Sequence, residues 1–238
     1  MTKQSTLEFI NYLFNKINVS VKRFPSREQR RVIHHLQKNN INVVIDVGAN
    51  VGQFAKKLFR CGYKGKIYSF EPQSLAFKKL CEYANYPNWT AINKGLGEVA
   101  TTSIINNSAN SVSSSILPIL NKHTEIAKES VYVNTERIEL STVDLFIQEN
   151  SIQAENVFLK IDTQGYENSV LNGASASLTK IKVLQVEMSL VPLYEGEVLF
   201  DELKKKIEGF GFSLSAVESG LADETTGKLL QMDAVFVK

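Results

Sequence analysis

The residues of this chain best placed to do chemistry are acids at the ends of apolar runs. In VVIDVGANVGQFA (43–55) an apolar run ends at Asp46, turns through Gly48 and enters a helical pattern just after Gly52. Glycine lets the backbone approach a ligand closely, and a helix N-terminus offers free N–H groups. Asn50 stands where the turn calls for positive φ, which Asn tolerates better than most residues. The G-x-x-x-G spacing fits neither the G-x-G-x-x-G dinucleotide fingerprint nor the G-x-x-x-x-G-K-[ST] phosphate loop. Glu71 closes the next run, YSFEP. In a nucleotide-binding α/β fold an acid at that place accepts hydrogen bonds from ribose hydroxyls. Asp46 would repel a phosphate and attract a cationic or amine-bearing group, so the two acids favour a cationic nucleoside over a dinucleotide. Each feature alone has a plainer reading, as a structural turn or a surface acid.

Two more acids follow the same rule. Asp162 ends an apolar run in LKIDTQGYENSVLNGA (159–174), and Glu187 lies near the end of VLQVEMS. Burying Glu187 in a core strand is costly unless it is paired or used. Gly165 permits a tight turn, and Glu167 falls in the first turn of a helix, where the macrodipole favours an acid for structural reasons alone. His34 and His35 are adjacent on a helix and cannot both face one ligand. Cys61 and Cys81 are too few for a disulfide framework or a zinc cluster and read as buried thiols.

The elements that must position these residues alternate. Strands are predicted at 42–47, 66–70, 90–94, 157–161, 182–188, 212–217 and 231–237, with helices at 53–61, from Ser74 as a cap, at 167–171 and at 200–208. The helix from Ser74 is expected to turn Leu75, Leu80 and Ala84 to the core. Alternation of this kind means a parallel sheet covered on both faces, with ligands at its carboxyl edge. The last two strands are joined by a turn-rich link, which predicts a closing antiparallel strand. Residues 101–140, rich in Asn, Ser and Thr, break the rhythm and read as a lid or substrate loop. Two amphipathic helices are expected over 6–37, the first with Leu7, Ile10, Leu13, Phe14 and Ile17 on one face. The domain organisation expected is a helical extension at 1–40, then one α/β domain over 41–238 with a polar insertion at about 101–140.

Taken together, VVIDVGANVGQFA, YSFEP, FLKIDTQGYENSVLNGA, LQVEMSLVPLYEG and a Gly-Phe before the last hairpin resemble the FkbM family of S-adenosylmethionine-dependent methyltransferases, over roughly residues 40–238. The resemblance implies the class I methyltransferase (Rossmann-like) fold: a seven-stranded, mostly parallel sheet with an antiparallel last strand and helices on both faces. It implies that Asp46, Gly48, Asn50 and Gly52 line the amino-acid end of S-adenosylmethionine, that Glu71 holds its ribose, and that Asp162 lies near the reacting methyl and the acceptor. Family members often carry Glu where this chain has Gln164, so Gln164 is given no catalytic role. The reaction implied is O-methylation of a sugar, glycan or small natural product by in-line displacement, with much of the catalysis in positioning and desolvation. Asp162 is the first candidate base, with Glu187 and His123 behind it. His123 sits in the polar insertion, where a lone His is ordinarily solvated. Asp162 and Glu187 would also suit a divalent ion, although nothing in the spacing demands a metal. Tyr166 and Tyr194 could stack on a sugar ring or pack in the core.

Composition narrows the partners. The 238 residues carry 27 Lys plus Arg and 25 Asp plus Glu, a net charge of +2 that makes no case for nucleic acid or an anionic membrane. No apolar run approaches the roughly 18 residues a transmembrane helix needs, and the first residues lack a signal-peptide pattern, so a cytoplasmic protein is expected. The amphipathic N-terminal helices leave a homo-oligomer open. The other readings are a catalytically silent cofactor- or glycan-binding module and a nicotinamide oxidoreductase, the latter opposed by the missing fingerprint.

Overall fold

The computed structural model describes residues 9, 11–14, 21, 24–152 and 156–238. Of the predicted first helix, Leu7, Ile10 and Ile17 lie outside the described residues, while Leu13 and Phe14 are exposed.

Seven strands form one sheet in the order β3-β2-β1-β7-β8-β12-β9. They are β1 (Val43–Val47), β2 (Lys66–Phe70), β3 (Trp89–Ile92), β7 (Val157–Ile161), β8 (Ile181–Ser189), β9 (Ser213–Ser219) and β12 (Gln231–Val237). Strand β12 is inserted between β8 and β9 and runs antiparallel to both, and the other pairs are parallel. This is the expected class I methyltransferase arrangement. The apolar runs form these strands because both faces are covered, so successive side chains on either side can be apolar.

The period of two then sorts the core into two layers. On one face Ile45, Leu159, Val186 and Phe236 pack under α5 (Val143–Glu149), α6 (Glu167–Asn172) and α7 (Phe200–Gly209). On the other, Val44, Phe158, Val183 and Val235 pack under α1 (Arg27–Lys38), α2 (Gln53–Arg60) and α3 (Ser74–Tyr83). In α3 the inward side chains are Ala76 and Leu80; Leu75, expected in the core, is exposed. Ser74 is not the cap either, since Gln73 occupies that position and Ser74 bonds to Glu136. Cys81 is exposed on this helix and Cys61 half-buried, so the thiols are less covered than expected.

The polar stretch expected to be a loop carries regular structure. Strands β5 (Thr101–Ser108) and β6 (Tyr132–Ser141) pair antiparallel, and the short β4 (Gly95–Leu96) joins β6 in a second sheet. Between them α4 (Asn121–Ile126) is a short helix, and β10 (Ala222–Asp223) and β11 (Lys228–Leu229) form a minor hairpin before β12. One face of the second sheet is apolar, with Ile105, Ile138 and Leu140 buried together. The other face is solvated and mostly polar, with Ile104 and Val133 exposed on it.

Gly48 brings the first turn against the end of β7. It has φ +76°, and a Cβ there would stand 1.8 Å from the Asp162 carbonyl oxygen. Gly196, at φ +74°, has open space around it. Gly48→Ala is therefore expected to cost about 3 kcal/mol or more in urea unfolding, against about 1 kcal/mol for Gly196→Ala, which meets backbone strain alone.

Candidate functional site

A cavity of about 340 Å³ opens at the carboxyl edge of the sheet, within the range of ligand clefts. Its walls include the Gly48–Asn50 turn, Glu71, Asp162, and the apolar Leu96, Ile105 and Leu140. The pair β5–β6, the segment 111–116 between its strands and β4 thus supply one wall, and the main sheet supplies the other.

Glu71 is 2% exposed, and its oxygens are aimed by the backbone: Asn50 N donates to Oε2 at 2.7 Å and Gln73 N to Oε1 at 2.9 Å. Each oxygen keeps a lone pair for a ligand, as a carboxylate gripping a diol requires. Burial pushes its pKa up to about 7, against the pull of those two bonds. Asn50 adopts φ +48°, as its place in the turn requires, and its amide donates to the backbone carbonyl of Ser111 at 3.2 Å. The Gln73 amide donates to the same carbonyl at 3.1 Å, so the segment after β5 is strapped to the turn. Gly48 lines the cavity. Gly52 (φ +81°) does not: it lies where a Cβ would strike Trp89 and Leu80, and it starts α2 with no side-chain cap.

Asp46 lies beneath the cavity rather than on its wall. It is fully buried; Ser69 Oγ donates to Oδ2 at 3.1 Å, and Lys160 Nζ stands 3.3 Å from Oδ1 as an ion pair without hydrogen-bond alignment. Burial raises its pKa, and Lys160 opposes the rise. Asp162 does line the cavity, with its side chain 33% exposed. Lys160 holds its Oδ2 at 3.2 Å and the Gln164 amide holds its Oδ1 at 3.1 Å.

Gln164, set aside in the sequence, is the hub of the far side. At φ +57° it donates from Nε2 to both Asp162 and Glu187, and it accepts from Tyr194 Oη at 2.7 Å. The two acids considered as a pair for a divalent ion are thus bridged by an amide nitrogen, and no group of three ligating side chains occurs among the described residues. Burial, then the charges of Asp162, Glu167 and Asp233, push Glu187 well above the usual carboxylate range. Tyr194 is buried by its bond to Gln164, whereas Tyr166 lines the cavity. His123 is also buried, edge-on to the Tyr194 ring at 5.2 Å and off the cavity wall, with Nδ1 unpartnered. Burial lowers its pKa to about 4, so the solvated loop histidine of the sequence reading is a neutral packed one.

Among the cavity residues that the sequence did not single out are Lys160, Gln185 and Asp233, all inside core strands. Lys160 interrupts an otherwise apolar face of β7, while Gln185 shares its face with Glu187 and Asp233 with Gln231, and such polar side chains inside core strands were the available signal. Asp233 pairs directly opposite Glu187 across β8 and β12, and burial followed by Asp162 raises its pKa.

Glu167 has the structural role considered for it. Its Oε1 accepts from the backbone N–H of Thr163 at 2.8 Å and of Gly165 at 3.2 Å, closing the turn that carries Gln164. Burial raises its pKa from 4.5 to about 7. A raised folded-state value means that its contribution to stability is complete below about pH 4.5 and is lost as pH rises through about 7. Glu167→Gln keeps an oxygen for both N–H groups without the charge. Urea unfolding at pH 5 and pH 8 is expected to show the variant losing less stability than wild type with rising pH, by about 2 kcal/mol.

No curated protein matches the sequence. An uncharacterized protein from Listeria monocytogenes serotype 4b superimposes with a TM-score of 0.50 at 9% identity, covering 89% of this chain and 67% of that one. A SAM-dependent methyltransferase from Aquifex aeolicus gives 0.43 at 15% identity over 100% of both chains, and an rRNA methylase from Streptococcus thermophilus gives 0.44 at 11% over 92% and 99%. At 9% identity the likeness to the Listeria protein is one of fold alone. The methyltransferase FkbM domain matches residues 46–214, from the Asp46 turn through the start of β9. That span is well over half of the chain and carries every acid of the cavity edge but Asp233, and the chain belongs to the methyltransferase FkbM domain family.

Proposed function

We propose that the protein is an S-adenosylmethionine-dependent O-methyltransferase acting on a hydroxyl of a sugar, glycan or small natural product. The observation that carries this reading is the Glu71 carboxylate, held at the end of β2 by two backbone N–H groups and facing the cavity beside the Gly48–Asn50 turn. That arrangement fits a ribose diol, and the uncapped start of α2 fits a ligand carboxylate. Acids outnumber bases at the inner end, which suits a cationic group and disfavours a phosphate-rich acceptor.

When bound, S-adenosylmethionine supplies a methyl group on a positively charged sulfur. The residues of the chain then orient and deprotonate. Glu71 fixes the nucleoside, and the apolar wall of Leu96, Ile105 and Leu140 keeps water out. Asp162, fixed on two sides by Lys160 and Gln164 and still partly exposed, receives the proton of the acceptor hydroxyl as its oxygen attacks. Glu187, Asp46 and Gly52 support this geometry from behind the wall, and His123 takes no part. Organisation into a helical extension at 1–40 and a catalytic domain at 41–238 belongs to the same reading.

Calorimetric titration with S-adenosylmethionine is expected to give specific binding that Glu71→Ala weakens by about tenfold or more. Because burial pushes the Glu71 pKa up to about 7 and only the carboxylate offers both oxygens as strong acceptors, wild-type affinity is expected to fall as pH is lowered from 8 to 6, and Glu71→Gln to flatten that dependence. With labelled cofactor and a panel of hydroxylated acceptors, Asp162→Asn is expected to lose about a hundredfold in turnover. Full cofactor affinity in Glu71→Ala would sink the proposed site, and binding without transfer to any acceptor would favour the silent binding module.

A further inference from the structure

Among the described residues, Lys160 is the one buried lysine or arginine. It is the fourth of the five residues of β7, where its position in an apolar run serves no packing purpose that a leucine would not serve better. Its Nζ lies 3.3 Å from Asp46 Oδ1 and 3.2 Å from Asp162 Oδ2, and 5.6 Å from the Phe54 ring centroid. On its far sides stand Glu187 on β8 and Asp233 on β12, with Glu71 at the end of β2 acting through Asp46 and the exposed Lys57 of α2 near Asp233. One ammonium therefore serves a cluster of four carboxylates: Asp46, Asp162, Glu187 and Asp233.

We propose that Lys160 is a positioning residue that ties the ligand-facing Asp162 to the buried Asp46 and, as the buried cation of this acid cluster, lets the cavity receive a positively charged ligand without expelling protons from these two acids. The inference rests on the cofactor reading above. Without Lys160, Asp46 would keep Ser69 alone as partner inside the protein, a position in which a carboxylate takes up a proton. Asp162 would lose one of its two holders. A cation entering the cavity would then have to displace the protons that replaced the lysine, and that displacement is measurable as protons released on binding. Burial works to lower the Lys160 pKa, but Asp162, Asp46 and Asp233 outweigh it and hold the ammonium charged.

The test is calorimetric titration at pH 7 in two buffers of different ionisation enthalpy, using S-adenosylmethionine and its uncharged-sulfur product S-adenosylhomocysteine. Lys160→Met is expected to release about half a proton more than wild type on binding the sulfonium ligand, with no such excess for the product. Lys57→Met, which removes an exposed charge beside the same cavity, is expected to keep the wild-type count. Should Lys160→Met fail to fold, Lys160→Gln removes the charge while keeping an amide to bond the two acids, and is expected to show the same excess. A folded variant with the wild-type proton count, or an equal excess in Lys57→Met, would overturn the role of Lys160 while leaving the cofactor reading intact. A wild type that binds neither ligand would overturn that reading, and this inference with it.

Discussion

A single ammonium inside the sheet is the interaction on which the rest of the site depends. Ser69, Asp46, Lys160 and Gln185 stand side by side on β2, β1, β7 and β8, one directly opposite the next. All four point to the face covered by α1, α2 and α3, because each lies two residues from an apolar neighbour on that face: Ile67, Val44, Phe158 and Val183. The Trp89 indole donates to Ser69 Oγ at 3.0 Å, and Gln231 donates to Glu187 at 3.3 Å. The polar row thus runs from β3 to β12, and its buried charges persist because nearly every member has a partner. Breaking such a row at its cation leaves buried acids uncompensated, which is why the lysine matters more than its exposure would indicate.

The second constraint is the close approach of two turns. Gly48 has no room for a side chain against the Asp162 carbonyl, so the turn after β1 and the end of β7 are locked together. That contact sets Asp162 beside the turn that aims Glu71 through Asn50 N, and couples the two acids that face the cavity. The hairpin β5–β6 completes the enclosure from outside the main sheet, and Ser111 fastens it to Asn50 and Gln73. A cavity with one polar and one apolar wall follows directly from a sheet edge facing a half-buried hairpin.

Much of this was legible in the sequence, and for stated reasons. Strands buried on both faces read as short apolar runs, and Lys66–Phe70, Val157–Ile161 and Gln231–Val237 have the predicted ends. Gly48, Asn50, Glu71 and Asp162 fall on the cavity wall because strand ends and tight turns are local features. What was not legible depends on distant partners. The strands β5 and β6 are mostly polar on their open face, and their pairing spans the chain from Thr101 to Leu140, beyond the reach of a local pattern. Leu75 matched the helical period yet faces solvent, since the period fixes a face but not what covers it. Gln164 looked like the loss of a charge; its meaning appears once Asp162, Glu187 and Tyr194 surround it, where a neutral amide can donate to two carboxylates and accept from a hydroxyl.

The measurement that tests the central claim most directly is a crystal structure of the protein grown with S-adenosylhomocysteine. The account predicts the ligand in the cavity at the carboxyl edge, its ribose hydroxyls on the Glu71 carboxylate and its sulfur on the side of Asp162. A ligand bound elsewhere, or one in the cavity whose ribose leaves Glu71 untouched, would contradict it.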